Sequence, residues 1–145
     1  MMVKQMDLEP KKISLEDILN LRNSLLTILS VAEEQLHCLA LMKDMDKAVA
    51  RIESAITNGE NILVFGDYDV DGTTAVSLLS SYLKSFYPNV ATYIPDRYNE
   101  GYGVSYQGID FADDNEFSLI IALDCGIKSI NHVLYAKEKN IDFII

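Results

Sequence analysis

The chain has 145 residues, 49% apolar and 23% charged, with a net charge of −10. That length suits one domain with a real core, and the acid excess argues against broad electrostatic capture of nucleic acid by these residues alone, unless bound metal or a basic groove elsewhere alters the local field. No apolar run approaches the ~20 residues that span a bilayer, and Met1–Lys12 lacks a signal-peptide core, so a cytoplasmic protein without a membrane partner is expected.

Ser14 can cap a helix carrying Ile18, Leu21, Leu25, Ile28 and Leu29 at helical spacing. Asp44 to Asn58 reads as a second helix, with Met45, Val49, Ile52 and Ile56 on one face and Gly59 as its stop. Two segments are therefore expected: an N-terminal helical stretch over 1–43 and an α/β domain over 44–145. From Asn61 the rhythm changes to strand–helix alternation. Ile62–Phe65 is a strand with no polar alternation, as expected when both faces are buried. Thr73–Phe86 follows as a helix with Val76, Leu79, Leu83 and Phe86 inward. Val90–Ile94 is the next strand, and Pro95 to Val104 a loop. A short helix is expected over Tyr106–Asp113, a strand over Phe117–Leu123, a helix over Lys128–Lys139 and a strand from Ile141 to Ile145. Repeated βα units imply an α/β fold with a largely parallel sheet and flanking helices. In such sheets, sites form beyond the carboxyl ends of the strands.

The first strand runs into Gly66-Asp67-Tyr68-Asp69-Val70-Asp71-Gly72-Thr73. Clustered carboxylates repel and disfavour one another's charged form, a cost that a divalent cation removes. Hard oxygen ligands at this density suit Mg²⁺ or Mn²⁺. Fully extended, Asp67 and Asp71 would lie roughly 13 Å apart, at ~3.3 Å per residue. The loop must therefore curl if they converge, and Gly66 and Gly72 are placed to allow it. A solvated acidic turn is the plainer alternative, but a helical pattern follows Gly72 where a hairpin needs a second strand. An EF-hand loop also opens Asp-x-Asp-x-Asp-Gly, yet its twelfth position is Leu78 and a strand precedes it. The Asp69-Val-Asp71-Gly72-Thr73 run further resembles the nucleophile motif of haloacid-dehalogenase-type phosphatases. In that case Asp69 would be a covalent nucleophile and Asp71 an acid/base. The Pro95-Asp96-Arg97 that follows the second strand fits that family poorly.

Asp124 closes the third strand in Leu-Ile-Ile-Ala-Leu-Asp-Cys-Gly. It is either a helix cap or a carboxylate that meets the first cluster, where it could bridge two ions about 3.5–4 Å apart. In the loop after the second strand, Arg97 could grip a phosphate, and Tyr98 or Tyr102 could stack on a base. The plainer alternative is a Gly-rich turn with Arg97 paired to Glu100. Cys38 and Cys125 form no metal-type pair and read as packing, as do the isolated His37 and His132.

Taken together, Val-Phe-Gly-Asp-Tyr-Asp-Val-Asp-Gly-Thr-Thr, Pro-Asp-Arg-Tyr-Asn-Glu-Gly-Tyr-Gly and Ala-Leu-Asp-Cys-Gly-Ile closely resemble the RecJ-like single-strand-specific exonucleases of the DHH phosphoesterase superfamily. Their order and spacing match from about Leu41 to Ile145, and the resemblance sets aside the phosphatase alternative, which explains only the first motif. It implies an N-terminal DHH domain and 5′-to-3′ hydrolysis of single-stranded DNA by two-metal catalysis with Mn²⁺ or Mg²⁺, in DNA repair and recombination. It implies metal binding by Asp69, Asp71 and Asp124, with Asp67 a further catalytic acid. It places Arg97, Gly101, Tyr102 and Gly103 on the substrate path. Single-strand-binding proteins or helicases are partners of the kind it suggests, not readable from these residues.

The Asp-His-His triplet that names the family is expected after a strand like Ile141–Ile145 and does not occur in these residues. The expectation is therefore an N-terminal piece of such a nuclease, inactive alone. The alternatives are a non-catalytic binding or regulatory module that keeps the fold, or another DHH phosphoesterase acting on short oligonucleotides or cyclic dinucleotides.

Overall fold

A computed structural model describes residues 43–145, and the N-terminal helix expected after Ser14 lies outside them. The chain divides into two units, Met1–Met45 and Asp46–Ile145, and the second holds the sheet. Its elements are α1 (Met45–Asn58), β1 (Asn61–Gly66), α2 (Val70–Lys84), β2 (Val90–Tyr93), α3 (Tyr106–Asp114), β3 (Phe117–Leu123), α4 (Ile130–Glu138) and β4 (Asp142–Ile144).

The four strands form one parallel sheet in the order β2-β1-β3-β4. β1 is central because every residue from Ile62 to Phe65 is fully buried, and only a strand covered on both faces can be apolar throughout. Each of these side chains contributes about 1.5–3 kcal/mol by leaving water. Alternation along β1 splits the core in two. Ile62 and Val64 pack with Ala55 of α1, Val76 and Leu83 of α2, and Leu119 and Ile121 of β3. Leu63 and Phe65 point the other way, to Ile109 and Ala112 of α3 and Ala136 of α4. The result is three layers, helices on both faces of the sheet, as the alternating pattern predicts.

Two side chains depart from expectation. Phe86 does not point inward: it is 55% exposed and meets Tyr82 edge-on. The helix stops at Lys84, so Phe86 falls past its last turn. The buried position goes to Tyr87, whose hydroxyl donates to the Glu60 carbonyl. Val49 is 46% exposed, and α1 meets the core through Ile52, Ala55 and Ile56. Only the end of α1 is tied to β1. Glu60 N–H donates to the Ala55 carbonyl at 2.9 Å and Gly59 N–H to the Ile56 carbonyl at 3.2 Å. This paired closure ends a helix on a left-handed residue, here Gly59 at φ 72°.

The chain leaves β1 for β2 on one side and later reaches β3 on the other. The carboxyl ends of β1 and β3 therefore flank the topological switch point, where open α/β sheets bind ligands. Gly66-Asp67 and Leu123-Asp124 stand at those two ends.

Candidate functional site

Asp67 follows the last residue of β1 and is fully buried. Its Oδ1 accepts a long 3.3 Å hydrogen bond from Gly103 N–H, and its Oδ2 has no partner. Burying a carboxylate without compensation costs several kcal/mol, so this oxygen is the least satisfied polar atom of the loop. Two glycines make the position accessible. A side chain at Gly72 would put its Cβ 2.5 Å from the Asp67 carbonyl oxygen. Gly72 therefore lets the first turn of α2 fold back against the loop, the curl anticipated from the sequence. Gly103 adopts φ 82°, a left-handed backbone that costs glycine nothing, and its N–H turns to Asp67.

Asp69 is the N-cap of α2, and its carboxylate accepts from Gly72 N–H at 2.9 Å. Capping starts the helix at Val70, three residues before the expected Thr73. Asp71 consequently lies in the first helical turn, exposed, where a negative charge suits the helix dipole. Asp124 is exposed and has φ 55°, an unusual backbone for a residue with a side chain. Asp44, Glu116 and Asn140 share this left-handed backbone, and aspartate and asparagine adopt it more readily than most residues.

The electrostatics show which acids gather. The carboxylate of Asp67, followed by burial and the charges of Asp69 and Asp124, raises the Tyr102 hydroxyl pKa above its ordinary value. Burial, then the same three carboxylates, pushes the Cys125 thiol up to about 11. Burial is the first of these causes, and Cys125 packs against the core beside Ala122 and Phe143. Asp71 acts on neither group. Among the described residues, no ion pair reaches any of these four aspartates. Hard oxygen donors, an orphaned buried Oδ2 and a local excess of negative charge fit a divalent metal ion. Among the described residues, no three His, Cys, Asp or Glu side chains meet closely enough to hold one. Asp69 is turned to its own helix, and like charges otherwise spread apart.

The loop after β2 supplies the remaining expected residues. Arg97 does not pair with Glu100. Glu100 instead accepts from the Tyr93 and Ser105 hydroxyls and from Asp96 N–H. Arg97 lies over the Tyr68 ring, 5.2 Å from its centroid, and Tyr68 meets Tyr102 edge-on at 6.3 Å. Tyr68 escaped the sequence reading, since an aromatic between two acids carries no periodic signal. Beside Asp124 opens a cleft of about 780 Å³ lined by Tyr102, Gly103, Tyr106, Lys128, Ser129 and His132, among others. His132 stacks on Tyr106 with ring centroids 4.3 Å apart.

An open parallel α/β sheet with acidic loops at its switch point defines the class. The chain belongs to the DHH family, whose N-terminal domain matches residues 61–145. It is 42% identical over 104 residues to the single-stranded-DNA-specific exonuclease RecJ of Bacillus subtilis, covering 72% of this chain and 13% of that protein. The RecJ of Thermus thermophilus is 33% identical over 105 residues, which cover 72% of this chain and 16% of that protein. A crystal structure of exonuclease RecJ bound to manganese superposes with a TM-score of 0.64 at 32% identity, over 70% of this chain and 26% of the other. The Thermus thermophilus RecJ structure in complex with Mn²⁺ gives a TM-score of 0.58 at 26% identity, over 70% of this chain and 14% of that one. The chain thus spans a small part of the length of the relatives it matches. Its parallel α/β architecture is the one the sequence implied.

Proposed function

We propose that these residues supply the first part of a two-metal centre that hydrolyses phosphodiester bonds of single-stranded DNA from the 5′ end. Asp69, Asp71 and Asp124 would hold Mn²⁺ or Mg²⁺, with Asp67 as a further catalytic acid whose buried negative charge strengthens their hold on the metal. Metal ions held there supply Lewis acidity at phosphorus and make water a stronger nucleophile. Arg97 and the Gly101-Tyr102-Gly103 turn would bind the strand. The proposal extends to a role in DNA repair and recombination in the cytoplasm, beside single-strand-binding or helicase partners.

The observation that carries this reading is the buried Asp67 carboxylate with one orphaned oxygen, set at the switch point among further acids that make no ion pair among the described residues. Tested alone, these 145 residues are expected to bind metal weakly and to turn over no DNA, because Asp69, Asp71 and Asp124 supply only the first part of the proposed centre. Titration with Mn²⁺, followed by electron paramagnetic resonance, tests the first half. Wild type should bind, and Asp67→Asn and Asp124→Asn should each weaken binding by tenfold or more, about 1.4 kcal/mol. Unchanged affinity in both variants would remove these residues from the centre. Release of nucleotides from a 5′-labelled oligothymidylate at an ordinary enzyme rate would contradict the second half. Metal-independent capture of a protein partner would favour the non-catalytic module.

A further inference from the structure

We infer that Tyr68 is a positioning residue that holds the Arg97 guanidinium over the aspartate loop with its N–H donors left free. The inference rests on the reading of Arg97 as a substrate-binding residue, and it names what presents that residue to a phosphate.

The geometry is specific. The Arg97 Cζ lies 5.2 Å from the Tyr68 ring centroid, inside the ~6 Å range of a cation–π contact. Tyr68 is itself buttressed by Tyr102, ring edge to ring face, with centroids 6.3 Å apart. Among the described residues Arg97 makes no ion pair. The two acids of its own loop have other partners: Asp96 Oδ1 accepts from Tyr98 N–H and Asn99 N–H, and Glu100 accepts from the Tyr93 and Ser105 hydroxyls and from Asp96 N–H. Pairing with a carboxylate would have fixed the guanidinium too, but it would have consumed donors and cancelled charge. An aromatic face fixes the plane and consumes neither. All five N–H donors of the fork then remain for a planar, bidentate grip on a phosphate.

The placement of Tyr68 in the chain matters as much as its ring. It sits between Asp67, whose buried carboxylate takes the Gly103 N–H, and Asp69, which caps α2. The backbone of Tyr68 is thus pinned on both sides, and the ring inherits that rigidity. Arg97 belongs to a separate loop, a turn whose backbone is held by Asp96 accepting from Tyr98 N–H and Asn99 N–H, and those bonds leave its guanidinium to the Tyr68 face. The contact therefore joins the acidic loop after β1 to the basic position after β2.

The test uses the 145-residue chain and two readouts. In proton–carbon NMR spectra, the Arg97 δ-methylene should lie upfield of its free position through the Tyr68 ring current. Tyr68→Phe should keep that shift and Tyr68→Leu should abolish it. In fluorescence anisotropy with a 5′-phosphorylated oligothymidylate and Mg²⁺, Tyr68→Leu should weaken binding about two- to five-fold. Tyr68→Phe should restore it, and Tyr68→Leu should add nothing in an Arg97→Ala background. Additive losses in the double variant, or an Arg97 signal that ignores Tyr68→Leu, overturn the inference. Unchanged binding in Arg97→Ala would instead overturn the substrate role of Arg97, and the positioning role with it. Should the wild-type chain bind no oligonucleotide, the NMR shift alone decides, and it does so in either direction.

Discussion

Gly72 shows how little room the acidic loop has. The Cβ of an alanine there would sit 2.5 Å from the Asp67 carbonyl oxygen and 2.8 Å from its nitrogen, both backbone atoms that cannot step aside. Gly72→Ala should destabilise the chain by roughly 1–3 kcal/mol, as overpacked interiors do, measured by urea denaturation. It should also shift the amide resonance of Gly103, because that N–H rests on the displaced residue. An unshifted Gly103 would mean that the loop does not carry the strain. The same tightness gives Asp67 its behaviour toward metal. An ion present at a hundredfold excess over its dissociation constant stabilises by about 2.7 kcal/mol. Mn²⁺ should accordingly raise the melting temperature of wild type, and that of Asp67→Asn by no more than about half as much.

At the scale of elements, Asp69 caps a helix and is proposed to bind metal, and substitutions can separate the two. As N-cap it accepts from Gly72 N–H, and asparagine serves there as well as aspartate. Asp69→Asn should leave thermal stability within a few tenths of a kcal/mol, whereas Asp69→Ala should cost about 1 kcal/mol through the lost cap. Both should weaken Mn²⁺ binding if the carboxylate is a ligand. Equal stability of the two variants would show that the cap contributes nothing. The proposed double duty also explains what was legible beforehand. β1 and β3 could be read directly, because Ile62–Phe65 and Leu119–Ala122 are unbroken apolar runs that only a doubly covered sheet accommodates. The start of α2 could not. A cap residue and a metal-type acid are the same side chain in the same place, and the metal pattern hid Val70 as the first helical residue. Arg97 lies over Tyr68, and the plainer alternative of a pair with Glu100 does not form. Glu100 satisfies hydroxyls within its own loop, a matter of local geometry that residue types do not reveal.

Across the whole molecule, one ion-pair network ties the start of the sheet to its far edge. Arg51 of α1 meets Glu60 at 2.7 Å and Asp142 of β4 at 2.6 Å, and Ser118 of β3 donates to Glu60. The Ser118 hydrogen bond first, and Arg51 next, hold the Glu60 carboxyl below its ordinary value of 4.5. A depressed folded pKa means that the unfolded chain binds the proton more readily. The stabilisation is therefore complete above the ordinary value and is lost as pH falls through the folded one. Urea midpoints should decline once the pH drops below about 4.5, and Glu60→Gln should flatten that decline. A variant with the wild-type slope would place the acid sensitivity elsewhere. Asp110 is the next candidate, held low by the Tyr135 hydroxyl and then by Lys139.

The left-handed backbone of Asp124, at φ 55°, has a consequence for how such a domain changes over generations. Only glycine, asparagine and aspartate sit easily in that conformation. From an aspartate codon, asparagine and glycine are each one base change away, and both would keep the turn while removing the charge. Most other replacements would strain the turn at the end of β3 and be purged with the fold. Loss of the carboxylate at this position can therefore pass without loss of the architecture, which opens a path by which an intact sheet outlives its chemistry.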